Sequence, residues 1–165
     1  MSKTLLLYYT FEGNTGFAAE KLAEDLEDLK VEQLIAENEP PRRGLGKFFL
    51  GGKSALMRSD PALFPVYNDP NAFDNVILAF PVWAGTYPPA VAALIKKYPF
   101  EGKRLYIIAS SASGRAEGAI DAAAEALEGN ELRGSLSLVD PLKNRAEAIV
   151  KLAAFARFIR EDAAI

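Results

Sequence analysis

The amino-acid sequence predicts an α/β fold: a doubly wound, five-stranded parallel sheet with helices on both faces. Short apolar runs alternate along the chain with segments of helical periodicity, which is the pattern of consecutive βαβ units. The first, third and fourth runs are apolar throughout, as strands buried on both faces are, whereas the second and fifth are more polar, as edge strands are. Combined with right-handed crossovers, this difference favours the strand order 2-1-3-4-5.

The first βα unit is marked by a change of periodicity at Asn14. The run 4–9 is continuously apolar and predicts a central strand. Apolar residues then recur at helical spacing between charged ones from Ala18 to Leu29, which predicts an amphipathic helix. The run 31–35 contains the polar Glu32 and is therefore predicted to be an edge strand.

A long irregular region, 36–74, separates the second and third strands. It contains a pattern that fits a short helix around Lys47 to Met57. Connections of this length are uncommon in compact domains and are often lids or binding loops, but a surface insertion without function fits the sequence equally well. The basic residues of this region are Arg42, Arg43, Lys47, Lys53 and Arg58.

The second half of the chain continues the alternation of strands and helices. The runs 76–80 and 105–109 are apolar throughout and predict two further central strands, while 132–139 predicts the second edge strand. Pro88 and Pro89 stand where the first turn of a helix tolerates proline. A final amphipathic helix is predicted after the break at Asp140.

Length and composition restrict the function as well as the fold. With 165 residues the chain is close to the size of one domain, so residues 1–165 are predicted to form a single domain. Because the chain has neither cysteine nor histidine, disulfides, thiolate nucleophiles and the commonest general base and metal ligand are excluded. No catalytic residue and no metal site is predicted, and chemistry near neutral pH must come from carboxylates, hydroxyls, backbone amides or a bound cofactor.

The charge and hydropathy pattern predict a cytoplasmic protein without a nucleic-acid or membrane partner. The net charge is −3 and the pI is near 5.1, whereas nucleic-acid binders usually present a basic face. No apolar run approaches the roughly 18 residues of a membrane span. The N-terminus enters a strand at once, without the layout of a signal peptide.

Three loops are predicted to meet at the carboxyl edge of the sheet. Ligands of open α/β sheets bind at this edge, where the winding direction switches, and in the predicted order the switch lies between the first and third strands. The loops are Thr10 to Gly16, Pro81 to Tyr87 and Ser110 to Gly114.

The first of these loops, TFEGNTG, has the composition of an anion site. It leads into a helix whose unpaired N–H groups and positive dipole end attract anions. Gly13 permits positive φ or a close backbone approach, Asn14 and Thr15 suit the helix cap, and the hydroxyls of Thr10 and Thr15 can donate to phosphate oxygens. Since the loop has no lysine or arginine, a monophosphate is favoured over a triphosphate. A capped turn without a ligand fits this loop equally well.

The composition of the second loop favours a bound ligand. The stretch PVWAGTYPP places the only tryptophan, Trp83, and Tyr87 on either side of Ala84 and Gly85. Large planar side chains at such an edge suit the stacking of a planar heterocycle, although core packing is the plain alternative for Trp83. The third loop, SSASG, offers small side chains and free amides where the edge of a ring could form hydrogen bonds.

With these three motifs in this order, nearly the whole chain resembles the flavodoxin-like family of FMN-binding proteins. The resemblance rests on TFEGNTG, GGKSALMRSDP and FPVWAGTYPPAV. It implies the 2-1-3-4-5 sheet and non-covalent FMN, with the phosphate in the first loop and the isoalloxazine between the other two. The cofactor-binding residues that it implies are Thr10, Phe11, Glu12, Gly13, Asn14, Thr15, Pro81, Val82, Trp83, Ala84, Gly85, Tyr87, Ser110, Ser111, Ala112, Ser113 and Gly114.

One residue departs from the family pattern, and the functional role stays open. Glu12 stands where many members have a small hydroxyl residue, so its amide is expected to face the phosphate and its carboxylate to point away. An electron carrier that docks on redox partner proteins is favoured. The alternative is a reductase that takes hydride from NAD(P)H and passes it to a quinone-type acceptor. A third hypothesis is a module that keeps the fold but binds no flavin.

Overall fold

The structure is a computed structural model that describes residues 2–37 and 62–164. Its strands are β1 (Thr4–Tyr8), β2 (Leu29–Gln33), β3 (Asn75–Pro81), β4 (Arg104–Ser111) and β5 (Glu131–Val139). The helices of the described residues are α1 (Asn14–Asp25), α2 (Pro89–Lys97), α3 (Glu117–Ala126) and α4 (Arg145–Ala163), and a 3-10 turn occupies Pro70–Ala72. The strands form one parallel sheet in the order β2-β1-β3-β4-β5. The predicted fold class and strand order are confirmed.

Two apolar layers cover the sheet, because successive residues of a strand point to opposite faces. On one face, Leu6, Ile77 and Ile108 pack against α1 and α4. On the other face, Leu7 and Leu78 belong to the cluster that includes α2 and α3. The central strands β1, β3 and β4 are therefore buried from both sides, and the more polar β2 and β5 form the edges.

The boundary between α1 and β2 differs from the prediction. The helix was expected to run to Leu29, but it ends at Asp25, and Leu29 is already paired with Thr4 in the sheet. The chain leaves the helical conformation at Leu26, which is extended with φ −110° and ψ 110°, and a positive φ of 58° follows at Asp28. As a result β2 begins and ends two residues earlier than the predicted run 31–35.

A β-bulge in β5 brings together a partly buried polar network. The pairing of β4 with β5 shifts between Leu105 and Tyr106, so that Arg133 lies at the irregularity. The Nε of Arg133 donates to both carboxylate oxygens of Asp162 on α4, at 3.1 and 2.9 Å, and its Nη2 also contacts Oδ1. The hydroxyl of the fully buried Tyr106 donates to Asp162 Oδ2 at 2.6 Å. This network joins β4, β5 and the last turn of α4.

The long connection between β2 and β3 is described only at its two ends. Ala36 and Leu63 form an isolated antiparallel bridge. The carboxylate of Glu32 accepts hydrogen bonds from the amides of Tyr67 and Asn68, at 2.6 and 2.8 Å, which fixes the returning chain to β2. The predicted helix around 47–57 and the basic cluster lie outside the described residues. Among the helices of the described residues, none has both the length and the hydropathy needed to cross a bilayer.

Candidate functional site

The structure brings the starts of the three predicted loops to the carboxyl edge of β1, β3 and β4. The amide of Tyr9 donates to Ala79 O at 3.0 Å, which ties the end of β1 to β3. The amide of Val82 donates to Ser110 O at 2.8 Å, which ties the end of β3 to β4. The three loops therefore leave the sheet side by side, at the point where its winding direction switches.

Gly13 shapes the first loop. It has φ 96° and ψ −11°, a left-handed conformation that is unfavourable for residues with a Cβ, and it is the N-cap of α1. Its amide donates to the Thr10 hydroxyl at 3.1 Å, and its carbonyl accepts from Phe17 at 2.9 Å. Within the described residues no side chain caps this N-terminus, so the first amides of α1 face outwards with the positive end of the helix dipole.

Asn14 has a role that differs from the predicted cap. It is the first residue of α1, and its Oδ1 accepts a hydrogen bond at 3.0 Å from the amide of Leu142, 128 residues further along the chain. A Cβ added to Gly13 would lie 3.3 Å from Leu142 Cδ1. The loop after β5 therefore supports the first loop from behind, through a residue that no local sequence pattern singles out.

Thr15 also differs from its predicted role as a cap and phosphate donor. Its side chain is 1% exposed, and its hydroxyl shares a hydrogen bond of 3.0 Å with the hydroxyl of Ser110, itself 4% exposed. The pair links the first turn of α1 to the end of β4. The next residue, Ser111, has a buried hydroxyl for which the described residues provide no hydrogen-bond partner.

The second loop is a tight turn at Trp83 to Thr86. The amide of Trp83 donates to Thr86 O at 2.8 Å, and the amide of Thr86 donates back to Trp83 O at 3.0 Å. Ala84 and Gly85, the two central residues, both have positive φ, 51° and 82°, as in a type I′ turn. Gly85 suits this conformation, whereas Ala84 is strained there. Both residues are exposed, so the turn projects from the edge of the sheet.

The aromatic side chains of this loop are less exposed than the sequence suggested. Trp83 is partly buried and meets the rings of Tyr9 and Phe11 edge to face, with centroids 5.9 and 5.5 Å apart and interplanar angles of 77° and 87°. Tyr87 meets Phe80 in the same manner, at 6.4 Å and 74°. Each ring is thus fixed by the core on one side while part of its surface stays accessible. Tyr9 and Phe11 act here as supports for Trp83.

The third loop is supported by the chain that follows β5. The amide of Asp140 donates to Ser111 O at 3.0 Å. Gly114 has φ 74°, and a Cβ added to it would lie 3.2 Å from Val139 Cγ2. Ala112 and Ser113 lie at the exposed tip of the loop. The 139–142 segment therefore contacts the first and third loops together, which no local sequence pattern indicated.

The charges around the first loop are unevenly distributed. The Glu12 side chain is exposed. One turn into α1, the ring of Phe17 lies beneath two cations, with Arg145 Cζ 5.5 Å and Lys21 Nζ 6.0 Å from its centroid. Among the described residues no group of three or more carboxylates could hold a metal ion. The site thus offers amides, hydroxyls and aromatic surface, with cations beside the anion loop.

A second concave surface lies at the opposite edge of the sheet. It is a broad open depression whose lining includes Lys3, Lys30 and Arg104. The chain just after the C-terminal ends of α1 and α4 also lines it, at Leu26 and Ala164. Because helix C-termini carry partial negative charge, this depression is less suited to a phosphate than the carboxyl edge is.

No protein-family model matches the chain, and no curated protein matches it in sequence. The structure does match solved structures. A flavoprotein from Lactobacillus acidophilus in complex with FMN has a TM-score of 0.68 and 20% identity, over 87% of this chain and 98% of that one. A Bacteroides eggerthii protein assigned as a flavoprotein has a TM-score of 0.71 and 19% identity, over 92% of this chain and 98% of that one.

The chain has the flavodoxin-like fold. An NADPH-quinone reductase from P. pentosaceus shares this fold more distantly, with a TM-score of 0.54 and 16% identity over 94% of this chain and 98% of that one. Flavodoxin-like proteins with different roles are thus similar to this chain along most of its length. At these identities the likeness establishes the architecture, and the function must be argued from the site.

Proposed function

We propose that this flavodoxin-like protein binds FMN non-covalently at the carboxyl edge of β1, β3 and β4 and uses it for electron transfer. One observation carries the proposal: the uncapped N-terminus of α1, turned outwards by left-handed Gly13, lies at the same edge as the aromatic turn of Trp83. An anion site and a surface for a planar ring are the two parts that FMN requires.

The phosphate end of FMN fits the chemistry of the first loop. The amides at the start of α1 are free of side-chain caps within the described residues, and backbone N–H groups at a helix N-terminus bind phosphate without a cation. Gly13 lacks the Cβ that would crowd Leu142. The hydroxyl of Thr10 lies in the loop, whereas that of Thr15 is occupied by Ser110. Because the amide of Gly13 donates to the Thr10 hydroxyl, we assign phosphate binding to Thr10 and the amides of Asn14 and Thr15.

The ring end of FMN fits between the second and third loops. Trp83 and Tyr87 present partly accessible aromatic surface, held in place by the core. Ala112 and Ser113 are small and exposed, which allows a ring to approach the third loop. Bound FMN would supply the redox chemistry, and the protein would bind it, orient it and limit its contact with water.

We favour an electron carrier that acts with redox partner proteins. The two flavoproteins have TM-scores of 0.68 and 0.71, against 0.54 for the NADPH-quinone reductase. The described residues contain no histidine that could act as a base, but hydride transfer to a flavin needs none. An NAD(P)H-dependent reductase with a quinone-type acceptor is therefore the second candidate, supported by the reductase similarity.

The visible spectrum of the purified protein tests flavin binding, followed by titration with FMN and then riboflavin. Bound flavin, with FMN held far more tightly than riboflavin, is the expected result, because the first loop would bind only the phosphate. Equal affinities for FMN and riboflavin would show that TFEGNTG does not bind the phosphate. A colourless protein that takes up neither flavin would overturn the proposal and leave the flavin-free module.

Anaerobic addition of NADPH or NADH to the FMN-loaded protein separates the two roles. If the protein is a carrier, its bound flavin should be reduced, and lose its visible absorbance, slowly with either nucleotide and rapidly with a reduced partner protein. Rapid bleaching by a nicotinamide nucleotide, with turnover when a quinone is added, would establish the reductase instead.

A further inference from the structure

Arg145 occupies an unusual position for a cation. It is the first residue of α4, at the helix end that carries partial positive charge and disfavours a basic side chain. Its guanidinium lies over the ring of Phe17, 5.5 Å from the centroid. The aromatic contact therefore fixes a positive charge where the local helix repels it.

Within residues 2–37 and 62–164, the neighbouring lysines are paired with carboxylates, whereas Arg145 is not. Three lysines near it each form an ion pair with a carboxylate. For Arg145 the described residues provide no carboxylate at ion-pair distance. The pairs are Lys21–Glu24 at 2.7 Å, Lys143–Asp140 at 3.2 Å and Lys151–Glu147 at 2.6 Å.

The contacts behind the first loop place this charge beside the proposed phosphate site. Leu142, three residues before Arg145, donates its amide to Asn14 and lies against Gly13. Phe17 is one helical turn from Gly13, whose carbonyl accepts its amide. A rise of 1.5 Å per residue along α1 and the ring contact put the guanidinium at about 10 Å from the amides that would hold the phosphate.

From this placement we infer that Arg145 is a specificity-determining residue for the phosphate monoester of FMN. It supplies the positive charge that the first loop lacks, and Phe17 keeps it there. The inference rests on the proposed function and adds to it a long-range attraction that acts on FMN and not on riboflavin, which has no phosphate. A single charge acting on a dianion at about 10 Å in a water-like medium changes affinity by about threefold to fivefold.

The test compares dissociation constants of FMN and riboflavin, measured by flavin fluorescence quenching at low ionic strength. Arg145→Gln is expected to weaken FMN binding about threefold to fivefold and to leave riboflavin binding unchanged, and the difference should shrink in 0.5 M salt. Arg145→Lys should retain most of the FMN preference. Phe17→Leu should lose part of it, because the guanidinium loses its aromatic support.

The matched control is Arg157→Gln, which makes the same charge change at an exposed position on the same helix, about 18 Å further along it. Its FMN affinity should stay at the wild-type value. The inference would be overturned if Arg145→Gln lost affinity for FMN and riboflavin equally. It would also be overturned if Arg157→Gln lost as much FMN affinity as Arg145→Gln. An unchanged FMN preference in Arg145→Gln would overturn it as well, while the proposed function would stand. A wild-type protein that binds neither flavin would overturn both.

Discussion

Replacing Asp162 by asparagine should remove a defined, pH-dependent part of the stability of this fold. Asp162 lies in the last turn of α4, the helix end at which a carboxylate is unfavourable, and it is 8% exposed. The hydrogen bonds that Arg133 and Tyr106 donate to it lower its pKa from the ordinary 3.8 to about 2. The same contacts raise the pKa of Arg133, and burial together with Asp162 raises that of Tyr106.

The magnitude follows from the pKa difference. At 1.36 kcal/mol per pKa unit, a fall from 3.8 to about 2 corresponds to roughly 2.4 kcal/mol. Because about a third of the Arg133 side chain is exposed, solvent screening reduces this to about 1–2 kcal/mol. Since the pKa is lower in the folded state, this stability is fully present above about pH 4 and is lost as the pH falls towards 2.

Urea denaturation of the wild type and Asp162→Asn at pH 7, 4.5 and 2.5 measures this contribution. The variant should be less stable by about 1–2 kcal/mol at pH 7, and about two thirds of this difference should be lost by pH 2.5. Asp121→Asn, at an exposed position on α3, is the matched control and should be close to neutral at every pH. If the wild type and Asp162→Asn lose stability in parallel below pH 4, the ion pair does not stabilise the fold as argued.

Three further predictions concern the loops of the candidate site. Gly13→Ala should destabilise the protein by about 1–2 kcal/mol and weaken FMN binding, since a Cβ is strained at φ 96° and crowds Leu142; unchanged melting and titration curves would contradict this. Ala84→Gly should raise the melting temperature by a few degrees because it relieves strain at φ 51°, and a fall would show that Ala84 is not strained. Ser111→Ala should stabilise the flavin-free protein by up to about 1 kcal/mol by removing a buried hydroxyl that has no partner among the described residues; a lower melting temperature would show that this hydroxyl is hydrogen-bonded.

The sheet could be predicted because its determinants are local in the sequence. The composition of each run, such as 76–80, indicates whether the strand is buried on both faces. Together with right-handed crossovers, this separation of central from edge strands gives the strand order. The element boundaries were predicted less accurately. Apolar Leu29 continues the helical spacing in the sequence, but the helix ends at Asp25, Leu26 is already extended, and Leu29 belongs to β2.

The candidate site was predicted in position but not in its internal contacts. Asn14 and Thr15 are residue types that often cap helices. In the fold, however, the Asn14 side chain accepts from the Leu142 amide, and the Thr15 hydroxyl is bonded to that of Ser110. These partners come from other strands and loops, so no spacing within TFEGNTG could reveal them. For the same reason the partial burial of Trp83 against Phe11 could not be read from the loop that contains it.

The hydrogen bond between Asn14 and Leu142 also has a consequence for the order of folding. It closes a loop of 128 residues, and contacts so distant in sequence form late because their entropy of closure must be offset by other structure. A chain emerging from the ribosome can complete β1 and α1 early, but the support behind Gly13 is missing until the residues after β5 have been synthesised. The first loop is thus encoded near the beginning of the chain and completed near its end.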